Sequence, residues 1–157
     1  STGWKLILDS DMLFFETPTE ILHWWDERRS EIEPCFMRDC EESYGYSRSL
    51  MTSLTGSPIP EELNVGICGL RSETIDWNEL EHWCTELVER EGTSYFLEQA
   101  LVAMIASRAP HRILPRESYI TFPSSDEANA GAGVLQHYVA DSKPDYFGTC
   151  WKIAAAS

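Results

Sequence analysis

Asp9-Ser10-Asp11 sets two carboxylates one residue apart, directly after the apolar run Leu6-Ile7-Leu8. A short continuous apolar run predicts a buried strand, covered on both faces. The two acids then stand where that strand ends, and ligands of open α/β sheets gather outside the carboxyl ends of strands. Acids at i and i+2 there can share a hard divalent cation, whose oxygen ligands lie about 2.0–2.6 Å away. The plainer reading is two acids that cap a turn. Far along the chain, His137 closes another apolar run, and Lys143 follows just before Pro144. A neutral imidazole suits Mn²⁺ beside carboxylates, and a lysine is a compact point charge able to hold a diphosphate. Taken singly, His137 reads as a packed core histidine and Lys143 as a solvated surface charge.

Two further places carry polar groups where the pattern is otherwise apolar. Leu63-Asn64-Val65-Gly66-Ile67-Cys68-Gly69-Leu70 predicts a strand holding two glycines. Glycine inside a strand marks a bulge or a close backbone approach, so Asn64 beside Gly66 could offer its amide to a ligand. A strand that merely bends is the alternative. Residues 94–107 predict a helix apolar on all sides, hence buried, with Glu98 and Gln99 as its interior polar residues. Buried polar groups need partners, so either this pair faces something polar or Glu98 complements the helix N-terminus.

The elements that must position these groups follow from capping and periodicity. Thr17-Pro18-Thr19-Glu20 predicts a helix start with a capping box. Ile21, Leu22, Trp24 and Trp25 form its apolar face, and Asp26 to Arg29 close it. The tryptophan pair is expected in the core. Cys35-Phe36-Met37 predicts a short strand, with Arg38 and Asp39 at its end. Residues 44–60, rich in Gly, Ser and Pro, predict a long loop, a candidate lid or acceptor-binding segment. Asp76 and Glu79 predict the N-terminus of a helix running to Glu91 and stopped by Gly92; His82 lies on its solvent side. Short strands are expected at 112–115 and 119–122, a mobile loop at 124–133, a strand at 133–139, and a terminal helix over 146–153.

Composition bounds the function. The 157 residues suit one domain with a real core, and 43% of them are hydrophobic. The net charge of −14, from 12 basic and 26 acidic residues, argues against a nucleic-acid duplex or a membrane surface as partner. No apolar run is long enough to span a bilayer, so no transmembrane segment is expected, and no signal peptide is visible. Five scattered cysteines, odd in number, read as reduced thiols of a cytoplasmic protein.

In this order, Asp9-Ser10-Asp11, Asn64-Val65-Gly66, Glu98-Gln99 and His137-x5-Lys143-Pro144 resemble the metal-dependent nucleotide-sugar glycosyltransferases of GT-A fold. The likeness is nearest to the glycogenin and lipopolysaccharide galactosyltransferase-like family. Its members carry a D-x-D after a strand, an N-x-G strand, a D-Q pair opening a helix, and H-x-x-G-x-x-K-P-W near the end. Here Ala140 stands for that glycine, Asp145 for that tryptophan, and Glu98 for the aspartate. The resemblance implies an α/β fold, the C-terminal part of a GT-A fold, with a mixed sheet and packed helices. It implies Mn²⁺ (or Mg²⁺) held by Asp9, Asp11 and His137, and Lys143 on the departing phosphate. Glu98 and Gln99 would lie beside the sugar as catalytic residues. Asn64 and Gly66 would border the donor-sugar or acceptor pocket. The partners implied are a nucleotide-sugar donor, UDP-sugar in the first place, and an acceptor hydroxyl. Retention of configuration is implied, while Glu98 leaves open an inverting route with a carboxylate base. The D-x-D lies mid-domain in that family, so residues 1–157 are expected to be a fragment lacking the nucleotide-binding half, and by themselves inactive or very weak.

Two rivals remain. Leu8-Asp9-Ser10-Asp11 also resembles the haloacid-dehalogenase phosphohydrolases, in which the first Asp is a nucleophile and the second a general acid. Those carry Thr or Val where Leu13 stands, and a later acidic pair for Mg²⁺ that is not visible here. The other rival is a non-catalytic binding module that has kept the fold.

Overall fold

The computed structural model describes residues 3–26 and 33–156. Two mixed sheets share the chain. The larger has the order β1-β4-β3-β5, from Trp4–Leu8 (β1), Cys35–Arg38 (β3), Leu63–Arg71 (β4) and Arg112–Ile113 (β5). The smaller has the order β2-β7-β6, from Met12–Phe14 (β2), Tyr119–Thr121 (β6) and Leu135–His137 (β7). β4 runs antiparallel to both β1 and β3, with a register shift at Phe36/Met37, and β3 runs parallel to β5. β7 is antiparallel to β2 and parallel to β6. The sheets meet where the Thr121 hydroxyl donates to the Arg38 carbonyl (2.8 Å).

Helices α2 (Arg48–Thr55), α3 (Trp77–Glu91) and α4 (Leu97–Ala106) pack on one side of the large sheet. Phe36, Met51, Leu63, Trp83, Leu87 and Met104 are buried there. Helix α1 (Thr19–Asp26) closes a second core with Met37, Ile67, Leu114 and Tyr119. Trp24 is buried in that core and donates its Nε1–H to the Glu33 carbonyl (2.8 Å), so the tryptophan pair packs as expected. The closing residues Glu27, Arg28 and Arg29 lie outside the described segment. The expected capping role of Glu20 is not what its carboxylate does: it accepts the Tyr119 hydroxyl (2.9 Å) across the core edge.

Further expectations are corrected. The Leu6-Ile7-Leu8 run is a strand, but it lies at the sheet edge rather than covered on both faces, with Ile7 57% and Leu8 41% exposed. The loop expected over 44–60 contains α2, capped by Ser47, whose hydroxyl accepts the Leu50 N–H, and ended by Gly56 in the left-handed region. The mobile loop expected over 124–133 contains α5 (Ser125–Ala130), opened by a complete capping box of Ser124 and Glu127. Helix α3 starts on Asp76 as expected, which accepts the Asn78 and Glu79 N–H groups; the Glu79 carboxylate pairs with Arg108 instead of closing a box. Beyond β7 the chain winds through short helical segments, Ala140–Ser142, Lys143–Asp145, Tyr146–Cys150 and Trp151–Ala154. Among the described residues no helix is long and apolar enough to cross a membrane.

Both glycines of β4 admit a ring. A Cβ on Gly69 would lie 2.6 Å from the buried Trp24 indole. Gly69→Ala is therefore expected to destabilise the protein by about 1–3 kcal/mol through overpacking, read as a lower urea midpoint by tryptophan fluorescence.

Candidate metal centre and its cleft

The short link between β1 and β2 is Asp9-Ser10-Asp11. Its ends are pinned by backbone: the Asp9 N–H donates to the Gly66 carbonyl, and the Tyr138 N–H donates to the Asp11 carbonyl (both 2.9 Å). The Tyr146 hydroxyl donates to the Ser10 carbonyl (3.3 Å). With the link held at both ends and bent at Ser10 and Asp11, the two acids converge on one side. His137 ends β7, directly opposite Met12 in the β2–β7 register. Its Nε2 thereby comes 3.3 Å from an oxygen of Asp9 and 3.3 Å from one of Asp11. The second Asp11 oxygen takes the Lys143 ammonium at 3.1 Å. Four residues from opposite ends of the sequence thus form one cluster.

The cluster fits a divalent cation. Ligand atoms of Asp9, Asp11 and His137 all lie within 4.8 Å of one another. Adjacent ligands around an ion with bonds of about 2.2 Å stand roughly 3 Å apart, close to the spacing of the imidazole from each acid. Burial lowers the His137 pKa against the opposing pull of Asp11 and Asp9, which favours the neutral ring that a metal needs. Lys143 has its pKa raised by the hydrogen bond to Asp11, so it stays charged.

His137 is 3% exposed, and its Nδ1 has no hydrogen-bond partner. A metal-binding imidazole ordinarily has its other N–H held by an acceptor. Here packing does the holding. A Cβ on Gly66 would fall 2.5 Å from Cε1 and Nδ1 of the ring and 2.6 Å from the Met12 methyl. With the proton on Nδ1, the Nε2 lone pair faces two carboxylates, a repulsive arrangement that a cation between them relieves. With the proton on Nε2, the buried Nδ1 lone pair is left without a donor. Each neutral tautomer therefore leaves a polar atom unsatisfied, Nε2 against the acids in one and Nδ1 in the other.

Asn64 and Gln99 meet at a residue the motif reading did not single out. Asp39, at the end of β3, is buried. One of its oxygens accepts the Cys40 N–H (2.8 Å), and the other accepts the amide groups of Gln99 (2.9 Å) and Asn64 (3.2 Å). The Gln99 amide also donates to the Ser43 carbonyl (2.9 Å), and the Asn64 oxygen accepts the Gly66 N–H (2.8 Å). The amides of Gln99 and Asn64 are therefore engaged in positioning β4 and α4 about Asp39. Glu98 behaves differently: it is exposed, in the first turn of α4. An acid just past a strand end is the signal that marked Asp9, and it was present at Asp39 as well.

The Asp9, Asp11, His137 and Lys143 cluster borders one cleft of about 700 Å³ together with Asp39, Asn64, Glu98 and Gln99, while Gly66 does not line it; Tyr95, Phe96, Phe122, Val139 and Ala140 complete the wall. Cys40 lines it too; partial burial, then Asp39 and Glu41, raise its thiol pKa. Burial pushes Cys35 up to about 11 and Cys68 up to about 12, so neither is a nucleophile near neutral pH. Phe122 and Ala140, both on the cleft wall, have positive φ, 55° and 46°. A non-glycine residue in that region costs roughly 1–2 kcal/mol. Ala140→Gly is expected to raise unfolding stability by up to about 1 kcal/mol, since the glycine also gains unfolded-state entropy; a urea titration reads it.

Comparison with known proteins supports the fold. No protein-family model matches the chain, and no curated protein matches it by sequence. Among solved structures it is similar to mouse xyloside xylosyltransferase 1 in its apo form, at 14% identity and a TM-score of 0.53. The match covers 89% of this chain and 58% of that one. The chain therefore has a glycosyltransferase-type α/β fold of the GT-A kind, with mixed sheets and packed helices.

Proposed function

We propose that this chain forms the metal-dependent transfer centre of a glycosyltransferase that moves a sugar from a nucleoside-diphosphate donor to an acceptor hydroxyl. The observation that carries the proposal is the cluster of Asp9, Asp11, His137 and Lys143 at the wall of one cleft, on a glycosyltransferase-type fold. Asp9, Asp11 and His137 would hold Mn²⁺ or Mg²⁺, which supplies Lewis-acid stabilisation of charge on a leaving diphosphate. Lys143 holds Asp11 at rest, and its flexible stem lets it turn to a phosphate oxygen instead. Asp39 fixes Gln99 and Asn64, which keeps the floor of the cleft rigid. Glu98 stands at the mouth, where a carboxylate can accept the acceptor's proton in an inverting route or a hydroxyl hydrogen bond in a retaining one. The nearer kinship to the glycogenin-like family rests on the four motifs in order and on the histidine–lysine spacing.

The phosphohydrolase reading asks Asp9 to attack and Asp11 to protonate. In the fold both carboxylates converge on His137, and Asp11 is also held by Lys143, an arrangement suited to ligating and charge pairing. Titration of Mn²⁺ with and without UDP tests the proposal. Binding that UDP strengthens supports it. Indifference to UDP, with inhibition of phosphatase activity by beryllium fluoride, refutes it.

A further inference from the structure

The cleft has two chemically different walls. Asp9, Asp11, His137 and Lys143 make the ionic one. Beside it stand aromatic rings that the fold leaves uncovered, with the Phe122 N–H donating to the His137 carbonyl (3.0 Å). Tyr95 is 93% exposed, and Phe96 and Phe122 are each 39% exposed. Tyr95 and Phe96 meet edge to face, with centroids 5.3 Å apart, which fixes one ring against the other. All three line the cleft together with the acids Glu41 and Glu98. A solvent-facing tyrosine beside a phenylalanine at the start of a helix serves no core. Exposed aromatic groups at a cleft mouth mark a binding surface.

The chemistry of this wall selects its occupant. Flat apolar rings favour a ligand with a flat apolar face. Glu41 and Glu98 accept hydrogen bonds and repel anions, so the ligand must donate through neutral polar groups. Lys143, the basic residue on the cleft wall, is already engaged with Asp11. A pyranose ring meets these demands: its axial C–H face stacks on an aromatic ring, and its hydroxyls donate to carboxylates. We infer that Tyr95, Phe96 and Phe122 form the acceptor subsite and that the acceptor presents a neutral sugar ring. This rests on the transferase reading, because the subsite takes its role from the ionic cluster beside it.

The test uses the whole chain and saturation-transfer NMR with methyl β-xyloside and methyl α-glucoside, with and without Mn²⁺ and UDP. At least one glycoside is expected to bind, with the transfer concentrated on its ring C–H protons. Tyr95→Ala is expected to weaken that binding about tenfold, and Phe122→Leu to weaken it less. Mn²⁺ affinity should be unchanged in both variants. Tyr95 is almost fully exposed, so its loss leaves folding intact, and unchanged Mn²⁺ affinity reports a folded site for both variants. Absence of glycoside binding, equal binding by wild type and Tyr95→Ala, or a preference for a lysine-rich peptide over both glycosides overturns the inference. Those results leave UDP-strengthened Mn²⁺ binding standing. Conversely, glycoside binding lost in Tyr95→Ala alongside UDP-indifferent Mn²⁺ keeps the sugar site and removes the transferase reading.

Discussion

Asp11→Ala is expected to lower Mn²⁺ affinity by on the order of a hundredfold or more, and Asp9→Ala by less. Loss of a group that merely orients a metal ligand costs about 10–100-fold, so loss of a ligand at the centre of the cluster belongs at or beyond that upper bound. Asp11 is the centre because its two oxygens serve two neighbours, His137 at 3.3 Å and Lys143 at 3.1 Å. Asp9 reaches only His137 within this cluster and is the more exposed of the two acids. Removal of Asp11 also leaves Lys143 without the carboxylate that holds it beside the site. The loose ammonium should then resist cation entry, so the deficit should grow at low ionic strength, where screening is weakest. Isothermal titration of Mn²⁺ at two salt concentrations reads both effects. Equal affinities for wild type, Asp9→Ala, Asp11→Ala and His137→Ala would disprove the site.

Gly66→Ala is expected to damage the same centre without touching a ligand atom. The added methyl would sit 2.5 Å from the His137 ring and 2.6 Å from the Met12 methyl, both in buried surroundings. No relaxed structure keeps such contacts, so the ring must turn or β4 must shift. Backbone movement is opposed from two sides. The Gly66 carbonyl accepts the Asp9 N–H, and its own N–H is tied to Asn64. The imidazole therefore moves, Nε2 leaves the two acids, and Mn²⁺ affinity falls by about tenfold or more, together with about 1–3 kcal/mol of stability. Gly69→Ala is the matched control. It sits on the same strand and collides with Trp24 instead, so it should lose stability while keeping Mn²⁺ affinity. A Gly66→Ala protein that binds Mn²⁺ like wild type would show that packing does not hold the imidazole.

Much of this arrangement was readable from residue order. The D-x-D beyond a strand, the β4 strand with its two glycines, and the two long helices at 76–91 and 94–107 all stand in the fold, with ends shifted by a few residues. The glycines proved to be close approaches, each to a ring rather than to a ligand. What escaped was set by distant partners or by brevity. An apolar triplet cannot say whether a neighbouring strand lies on both sides of it, and Leu6-Ile7-Leu8 is bordered on one side by β4 among the described residues. Helix α5 carries its capping box in plain view at Ser124 and Glu127, yet its six residues lack the apolar repeat that declares a longer helix. Trp77 shows the converse, since its place in the repeat marks it as buried, but in the first turn of α3 it is 65% exposed. Residue order sets Asp39 at a strand end but shows no role for it, because its three N–H donors come from Cys40, Asn64 and Gln99, two of them far away in sequence.

The cluster's reach across the sequence couples its occupancy to folding as a whole. Asp9 and Asp11 meet His137 through the pairing of β2 with β7, a contact between nearly opposite ends of the described chain. No local fragment contains both halves of the site, so the unfolded chain offers an ion only separate, weak ligands. A cation that binds the native state alone adds RT ln(1 + [L]/Kd) to the unfolding free energy, about 2.7 kcal/mol at a hundredfold excess over Kd. By that linkage, a substitution that loosens the β2–β7 register is expected to lower ion affinity from a distance, and a cation held at the cluster would raise the stability of the whole fold.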